Sequence, residues 1–468
     1  MDIANLTATE LAGLYRTKTL SPVEVAKDHI ARRDSFEPQI NAFIVKFTDE
    51  ALAEAKHSES RWQMGEPLSP LDGVPITIKD NLVVKGVPCR RGSAVSPDKI
   101  ETEDSPVAAR LREAGTILLG KTTMPEYGWK GLSDSPLTGL TRNPWNLAMT
   151  TGGSSAGAAA CAALNIGCIH LGTDGAGSVR IPAAFTGVFG IKPTYGRVPA
   201  WPSSTMGFLA HLGPLSRSVE DSMRAMRVIA APDQRDMTAV LAGSLGPDAP
   251  ASLKGLRVAW SPKLGGNVHL DPEVAALTEA AAKKFAELGA HVEQVDPGFD
   301  DPIDSLNTLW FAGAALVLQS YSAEQKAKMD PGLVAIAEAG AAMSGQAYCE
   351  ALLVKRNALA VTMARFHERF DLLLTPAMPL PAFKVGQLMP DDNRYGDKWT
   401  GWSPFTYPFN LTQQPASTVP CGLTRAGLPV GLQIVGRFGE DLTVLMASQA
   451  YEAAAPFARI AAPRGSAS

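Results

Sequence analysis

A chain of 468 residues with 45% hydrophobic and 19% charged side chains has ordinary globular composition and length enough for a large core. Its net charge of -4, with lysine and arginine scattered, leaves no electrostatic footprint for nucleic acid or an anionic membrane, and no run reaches the roughly 18 apolar residues of a membrane span. Five cysteines, Cys89, Cys161, Cys168, Cys349 and Cys421, are odd in number, far apart and never spaced as C-x-x-C, and the start MDIANLTATELAGLYR lacks the basic-then-apolar form of a signal peptide, so a cytoplasmic protein is expected.

From Asn5 to about Ala55 the apolar residues recur at helical spacing, with Ser21-Pro22-Val23-Glu24 reading as an N-cap followed by proline at the first helical position, which predicts a helical layer over 1–60. In LDGVPITIK (71–79) the apolar residues alternate, which predicts a strand with Lys79 at its end. A helix over 105–114, a strand at TILLG (116–120), a small-residue helix over 156–163 and a buried strand at IGCIHLGTD (166–174) follow. Further strands are expected at 256–260, 290–295, 371–376 and 428–436, separated by helices over 272–288 and 348–370. Strands alternating with helices predict one large α/β domain, with a mixed, mostly parallel twisted sheet covered by helices on both faces. The best boundary by composition, 245–252, does not split it.

Three residues are candidates for acyl chemistry: Lys79 at the strand end, the pair Ser154-Ser155 in GGSSAG, and Ser178 in GAGS. A serine hydroxyl needs a base to take its proton. None of the histidines, at 29, 57, 170, 211, 269, 291 and 367, stands in a catalytic context, whereas Lys79 serves if burial lowers its pKa from about 10.4 toward neutrality. Read singly, each has a plain structural explanation: a solvated lysine, turn-forming serines, and Ser178 as the N-cap of a helix over 179–185.

Taken together, GVPITIKDN (73–81), GKTTMPEYG (120–128), RNPWN (142–146), GGSSAGAAA (152–160), GTDGAGSVRIPAAFTGVFGIKPT (172–194) and QPASTVPCGLTRAGLPVGLQIVG (414–436) resemble the amidase signature family of serine hydrolases, in the family's order and over nearly the whole chain. The resemblance places a signature core over 68–200. It implies Ser178 as nucleophile, Ser154 as a bridging serine on a cis peptide and Lys79 as the base, with backbone amides of Gly175, Ala176, Gly177 and Ser178 as oxyanion hole. It further implies that Ser155, Thr173, Asp174 and Arg180 fix the loop. Two departures stand out, because Ala156 and Ala176 occupy positions where the family usually has glycine.

The implied activity is hydrolysis of a neutral carboxylic amide, aryl or long acyl, through an acyl-enzyme, by a stand-alone enzyme that takes a small-molecule substrate and no metal or organic cofactor. Self-association into a homodimer stays open. Alternatives are the glutamine-hydrolysing component of a tRNA-dependent amidotransferase, a hydrolase of carbamates, nylon-type oligomers or esters, and a non-catalytic scaffold. The arginine and tyrosine motifs with which those amidotransferase components take glutamine are not found between Asn307 and Arg356. Gly153 to Gly157 also satisfies G-x-S-x-G, but a nucleophile elbow follows a strand and RNPWNLAMTTG is turn-like. Aromatic residues expected to wall the pocket are Tyr127, Trp129, Trp310, Phe311, Trp399 and Trp402, with Phe405 and Tyr407, on a loop over 390–410 for the last four.

Overall fold

The computed structural model describes residues 2–243, 245–246, 251–391 and 393–465. Helices α1 (Ala8–Arg16), α2 (Pro22–Ile40) and α3 (Asp49–Met64) open the chain. Ser21 caps α2 as expected, its hydroxyl accepting from the Val23 amide at 3.0 Å while Glu24 accepts from the Ser21 amide at 2.9 Å. The helical spacing read across 5–55 is interrupted by a strand, β1 (Phe43–Lys46). Asn41 ends α2 in the left-handed region at φ 49°, and Ile44 and Val45 suit the pleat that follows.

Next come β2 (Pro75–Lys79), α4 (Pro106–Glu113), β3 (Ile117–Thr122), a short ladder of β4 (Asp134–Ser135) with β5 (Gly139–Leu140), α5 (Ala156–Ala163), β6 (Ile169–Asp174), α6 (Arg180–Thr186), β7 (Phe189–Lys192), β8 (His211–Ser216) and α7 (Val219–Ile229). The second half adds β9 (Arg257–Trp260), α8 (Pro272–Glu287), β10 (His291–Gln294), α9 (Ile303–Leu318), β11 (Leu372–Pro376), β12 (Ala416–Leu423) and β13 (Pro429–Gly436). The helix expected at 348–370 forms with a π-helical turn at Glu350–Lys355.

One sheet of 11 strands, ordered β1-β3-β2-β6-β8-β7-β12-β13-β11-β9-β10, holds the molecule together as the expected single α/β domain. It is parallel at β3-β2-β6 and at β11-β9-β10, and antiparallel from β6 through β8, β7, β12 and β13 to β11. Alternating periodicity does not disclose that middle. Its strands β7, β8 and β12 carry Gly190, Gly213, Pro214 and Pro420, which break the apolar pattern, and β12 bulges between Pro420 and Gly422. Of the compositional boundary at 245–252 only 245, 246, 251 and 252 lie among the described residues, and the sheet unites strands from both sides of it.

What positions the site is the parallel pair β2 and β6. The register Ile78↔Leu171 brings Lys79 and Thr173-Asp174 to the same end of adjacent strands. Helix α5, buried at every residue, packs against both strands. Its small side chains permit that approach, and a Cβ on Gly157 would lie 2.2 Å from the Ala42 carbonyl oxygen.

Candidate active site

Lys79 closes β2 with no exposed surface. Its Nζ lies 2.7 Å from Ser154 Oγ, 3.1 Å from Ser155 Oγ, 2.9 Å from Thr173 Oγ1 and 3.4 Å from the Thr173 carbonyl oxygen. Burial lowers its pKa to about 7, opposed by the carboxylate of Asp174. A lysine that ends a strand is usually solvated. Here α5 and the 172–180 turn close over it.

The peptide Gly153-Ser154 is cis. Glycine is required before it, because a Cβ at 153 would stand 1.8 Å from the Leu132 carbonyl oxygen. The Ser155 amide donates to the Ser178 carbonyl at 3.1 Å, tying the two serine loops together. Ser155 Oγ accepts from the Thr173 amide and donates to the Thr173 carbonyl, each at 3.3 Å.

Ser178 sits between β6 and α6, and it does not cap the helix: Val179 occupies the N-cap position without a side-chain bond. The turn is instead closed by Asp174. That carboxylate accepts from the amides of Gly177 at 2.7 Å, Val179 at 3.2 Å and Arg180 at 3.4 Å, and from Arg180 Nε and Nη2, both at 2.9 Å. Burial raises the Asp174 pKa, but the Arg180 charge outweighs it and holds the group below the usual carboxylate range. Arg180 also donates to the Thr406 carbonyl at 2.8 Å, to Gln433 Oε1 at 2.8 Å and to Asn410 Oδ1 at 2.6 Å. Asn410 and Thr406 carry no signal in the sequence alone; Gln433 lies inside a motif already singled out.

Of the four amides expected to form an oxyanion hole, that of Gly177 is committed to Asp174, whereas no acceptor among the described residues takes those of Gly175, Ala176 and Ser178. Gly177 has φ 122°, a conformation that suits glycine. Neither Ala156 nor Ala176 has a positive φ, so alanine fits both positions without backbone strain. At Gly175 an added Cβ would meet Trp310 Cζ3 at 2.8 Å.

Ser154, Thr173, Gly175 and Ser178 open onto one cavity of about 550 Å³. Of the aromatic residues singled out in the sequence, Tyr127 and Trp310 border it. Tyr127, at φ 52°, shares its hydroxyl with Ser96 at 2.9 Å and meets the Tyr321 hydroxyl across the cavity. Trp129, Phe311, Trp399 and Trp402 do not border the cavity, nor does any described residue of 390–410, including Phe405 and Tyr407. Trp129, Trp399 and Trp402 are buried in the apolar cluster behind it, with Phe311 half-buried against them. Trp399 packs on Trp402 and on Trp310, with centroids 6.0 Å apart in each pair. The rest of the wall, missed in the sequence, comes largely from 193–212 and the end of α9, with Trp201, Met206, Phe208, Leu316 and Val317 among its apolar members, and also from Asn81, Leu82, Arg91, Asp236 and Thr238.

No histidine takes the role of base. His170, nearest in sequence to the turn, is buried against Thr77 Oγ1 at 2.9 Å, and burial lowers its pKa to about 3. His211 lines the cavity but its Nδ1 meets the Leu209 carbonyl at 2.8 Å, and burial keeps it uncharged.

A mixed α/β sheet with a lysine buried against two serines beside a glycine turn suits a hydrolase. The amidase family's sequence model matches residues 24–445, and the chain belongs to that family, whose members cleave carbon–nitrogen bonds. It is 37% identical over 461 residues to an acylamidase of Rhodococcus erythropolis, covering 97% of this chain and 96% of the relative. It is 35% identical to the A-type component of the glutamyl-tRNA(Gln) amidotransferase of Synechococcus sp. (strain CC9605), covering 97% of each. Among solved structures it is similar to a bacterial aryl acylamidase of the amidase signature enzymes, with a TM-score of 0.89 and 32% identity over 97% of this chain and 96% of that one. No helix among the described residues is long and apolar enough to cross a membrane.

Proposed function

We propose that the protein hydrolyses a neutral carboxylic amide, with an aryl or long acyl group, through an acyl-enzyme on Ser178. Ser178 Oγ attacks the carbonyl carbon while its proton passes to Ser154 Oγ, whose own proton moves to Lys79 Nζ. The carbonyl oxygen gains negative charge, and the uncommitted amides of Gly175, Ala176 and Ser178 are the donors at hand to receive it. When the C–N bond breaks, the relay returns a proton to the departing nitrogen. Water then attacks the ester, giving its proton to the same chain, and the acid leaves.

The observation that carries this reading is the 2.7 Å contact of a fully buried Lys79 with Ser154. A primary amine removed from water is available uncharged near neutrality, which a base needs. Trp201, Met206, Trp310 and Val317 give the cavity apolar surface for an aryl or acyl group, and the kinship with an acylamidase and an aryl acylamidase supports that class. The five unpaired cysteines and the modest negative charge fit a cytoplasmic enzyme acting on a small molecule without nucleic acid.

The test is covalent labelling by a fluorophosphonate, read by mass spectrometry, with turnover of a panel of p-nitroanilides. An adduct confined to Ser178 is expected, and Ser178→Ala and Lys79→Ala each lower kcat by at least about 10³-fold with an unchanged circular dichroism spectrum. Near-normal turnover in either purified variant overturns the assignment.

A further inference from the structure

The lysine's surroundings extend one residue beyond the signature constellation, to Asn81. Its Nδ2 donates to Thr173 Oγ1 at 3.0 Å, and that oxygen is 2.9 Å from Lys79 Nζ. The other end of the same amide, Oδ1, is buried without a partner. An unpartnered buried oxygen is a cost that an apolar side chain of similar size would avoid. The contact with Thr173 is therefore what an asparagine contributes here.

Resting on the relay proposed above, we infer that Asn81 is a positioning residue that keeps Lys79 a usable base by acting on it through the Thr173 hydroxyl. Of the oxygens around Nζ, the Thr173 carbonyl can only accept. Ser155 Oγ already gives its proton to that carbonyl and accepts from the Thr173 amide. Thr173 Oγ1 is the neighbour whose electron density can be altered from outside. A hydroxyl that accepts a hydrogen bond from an amide becomes a weaker acceptor toward a third group. The donation from Asn81 thus makes Thr173 a poorer partner for an ammonium and favours the uncharged amine, whose lone pair can face Ser154.

The Asp174 carboxylate opposes the effect, and Arg91 borders the same cavity as Asn81. Asp174 at the end of β6 is held by Arg180. Lys121 of β3 pairs with Asp80, just beyond β2, at 3.0 Å. On α2, Arg33 is paired with Asp34 at 2.8 Å. Burial keeps His29 of α2, His170 of β6 and His211 of β8 uncharged, and holds the Cys161 thiol of α5 protonated.

The experiment follows the rate of fluorophosphonate labelling of Ser178 against pH in wild type, Asn81→Asp and Asn81→Leu. A carboxylate at 81 accepts the Thr173 proton, turns that hydroxyl into a strong acceptor and stabilises the ammonium, so the acid limb of Asn81→Asp moves to higher pH by on the order of one unit. In Asn81→Leu the Thr173 oxygen is released from the amide, and the limb moves the same way by a smaller step. If Asn81→Leu does not fold, as judged by its melting curve, Asn81→Ala, too short to reach Thr173, replaces it with the same expected direction. A limb unmoved in Asn81→Asp overturns the inference, and so does a limb moved in Asn81→Asp alone, since that is charge acting through space rather than through Thr173. Wild-type protein that does not label at Ser178 overturns instead the relay on which the inference rests.

Discussion

The turn that carries Ser178 and the wall that faces it across the cavity are built on opposite principles. The turn is a polar knot in which Asp174 and Arg180, both fully buried, satisfy each other and Asp174 takes the amides of Gly177, Val179 and Arg180, leaving those of Gly175, Ala176 and Ser178 uncommitted. The wall over 193–212 and the end of α9 is mostly apolar and partly open: Phe208 and Leu316 are 43% and 50% exposed. It too has an acidic anchor, Asp441, which accepts from the Thr194 amide at 2.7 Å and hydroxyl at 2.8 Å and from Arg197 Nε at 3.0 Å. Chemistry that needs fixed distances is placed where no side chain has another partner to choose. In the proposed reading, the acyl or aryl group is recognised where side chains can repack.

The sharpest way to break that contrast is to remove the arginine from each anchor. Arg180→Met leaves Asp174 charged and buried, with its guanidinium partner gone, and should cost about 3–5 kcal/mol in urea denaturation, along with nearly all activity. Arg197→Met leaves Asp441 its two bonds from Thr194, and the Arg197 side chain is 12% exposed against 0% for Arg180; about 1.5–3 kcal/mol is expected, the range for a hydrogen bond to a charged group. Equal losses in the two variants would mean that the turn is no more rigidly specified than the wall.

A second way is by pH. If Lys79 is the base, kcat/KM falls about tenfold per unit as pH drops below about 7, because the ammonium cannot accept the relayed proton. The same shift acts on stability. The folded-state pKa is depressed by burial below the unfolded value, so the unfolded chain binds more protons between the two, and the Lys79 contribution to stability improves as pH rises through the window from about 7 to 10.5. An activity profile flat from pH 6 to 8 would remove Lys79 from the chemistry and leave the turn as mere architecture.

The contrast also explains what can be read from the chain. Lys79, Ser154 and Ser178 stand in segments dense with glycine and small residues, and such segments are legible because close backbone approach leaves few substitutes: Gly153 against Leu132 and Gly157 against Ala42 are cases. Even so, the commitment of the Gly177 amide to Asp174 is not legible, since it depends on the rotamer of one carboxylate. Asn410 and Gln433 complete the knot from 230 and 253 residues away, a distance at which spacing carries no information. The wall is worse. Between Pro193 and Leu212 there is no periodic pattern, and tryptophans attract notice wherever they occur, so Trp399 and Trp402 draw the reading toward 390–410 although their rings face the cluster behind the cavity. In the sheet, β1 is hidden because four residues between two helices do not disturb a helical count.

The smallest effect tests this last point with the tryptophans themselves. Trp310 and Trp399 pack edge to face with centroids 6.0 Å apart, and both are buried, at 3% and 4% exposure. Only Trp310 borders the cavity, where it lies over Gly175, and its indole N–H donates to the Trp129 carbonyl at 3.0 Å. Either Trp→Phe change removes one ring's worth of packing, so both should lower stability by about 1–3 kcal/mol. Their kinetics should differ. Trp310→Phe enlarges the space beside Gly175 and should change KM several-fold across a series of anilides of increasing ring size, favouring the larger ones, whereas Trp399→Phe should leave the ranking of that series as in wild type. If Trp399→Phe reorders the series as strongly as Trp310→Phe does, the substrate reaches deeper than the cavity itself, and the second layer of aromatic rings belongs to the pocket after all.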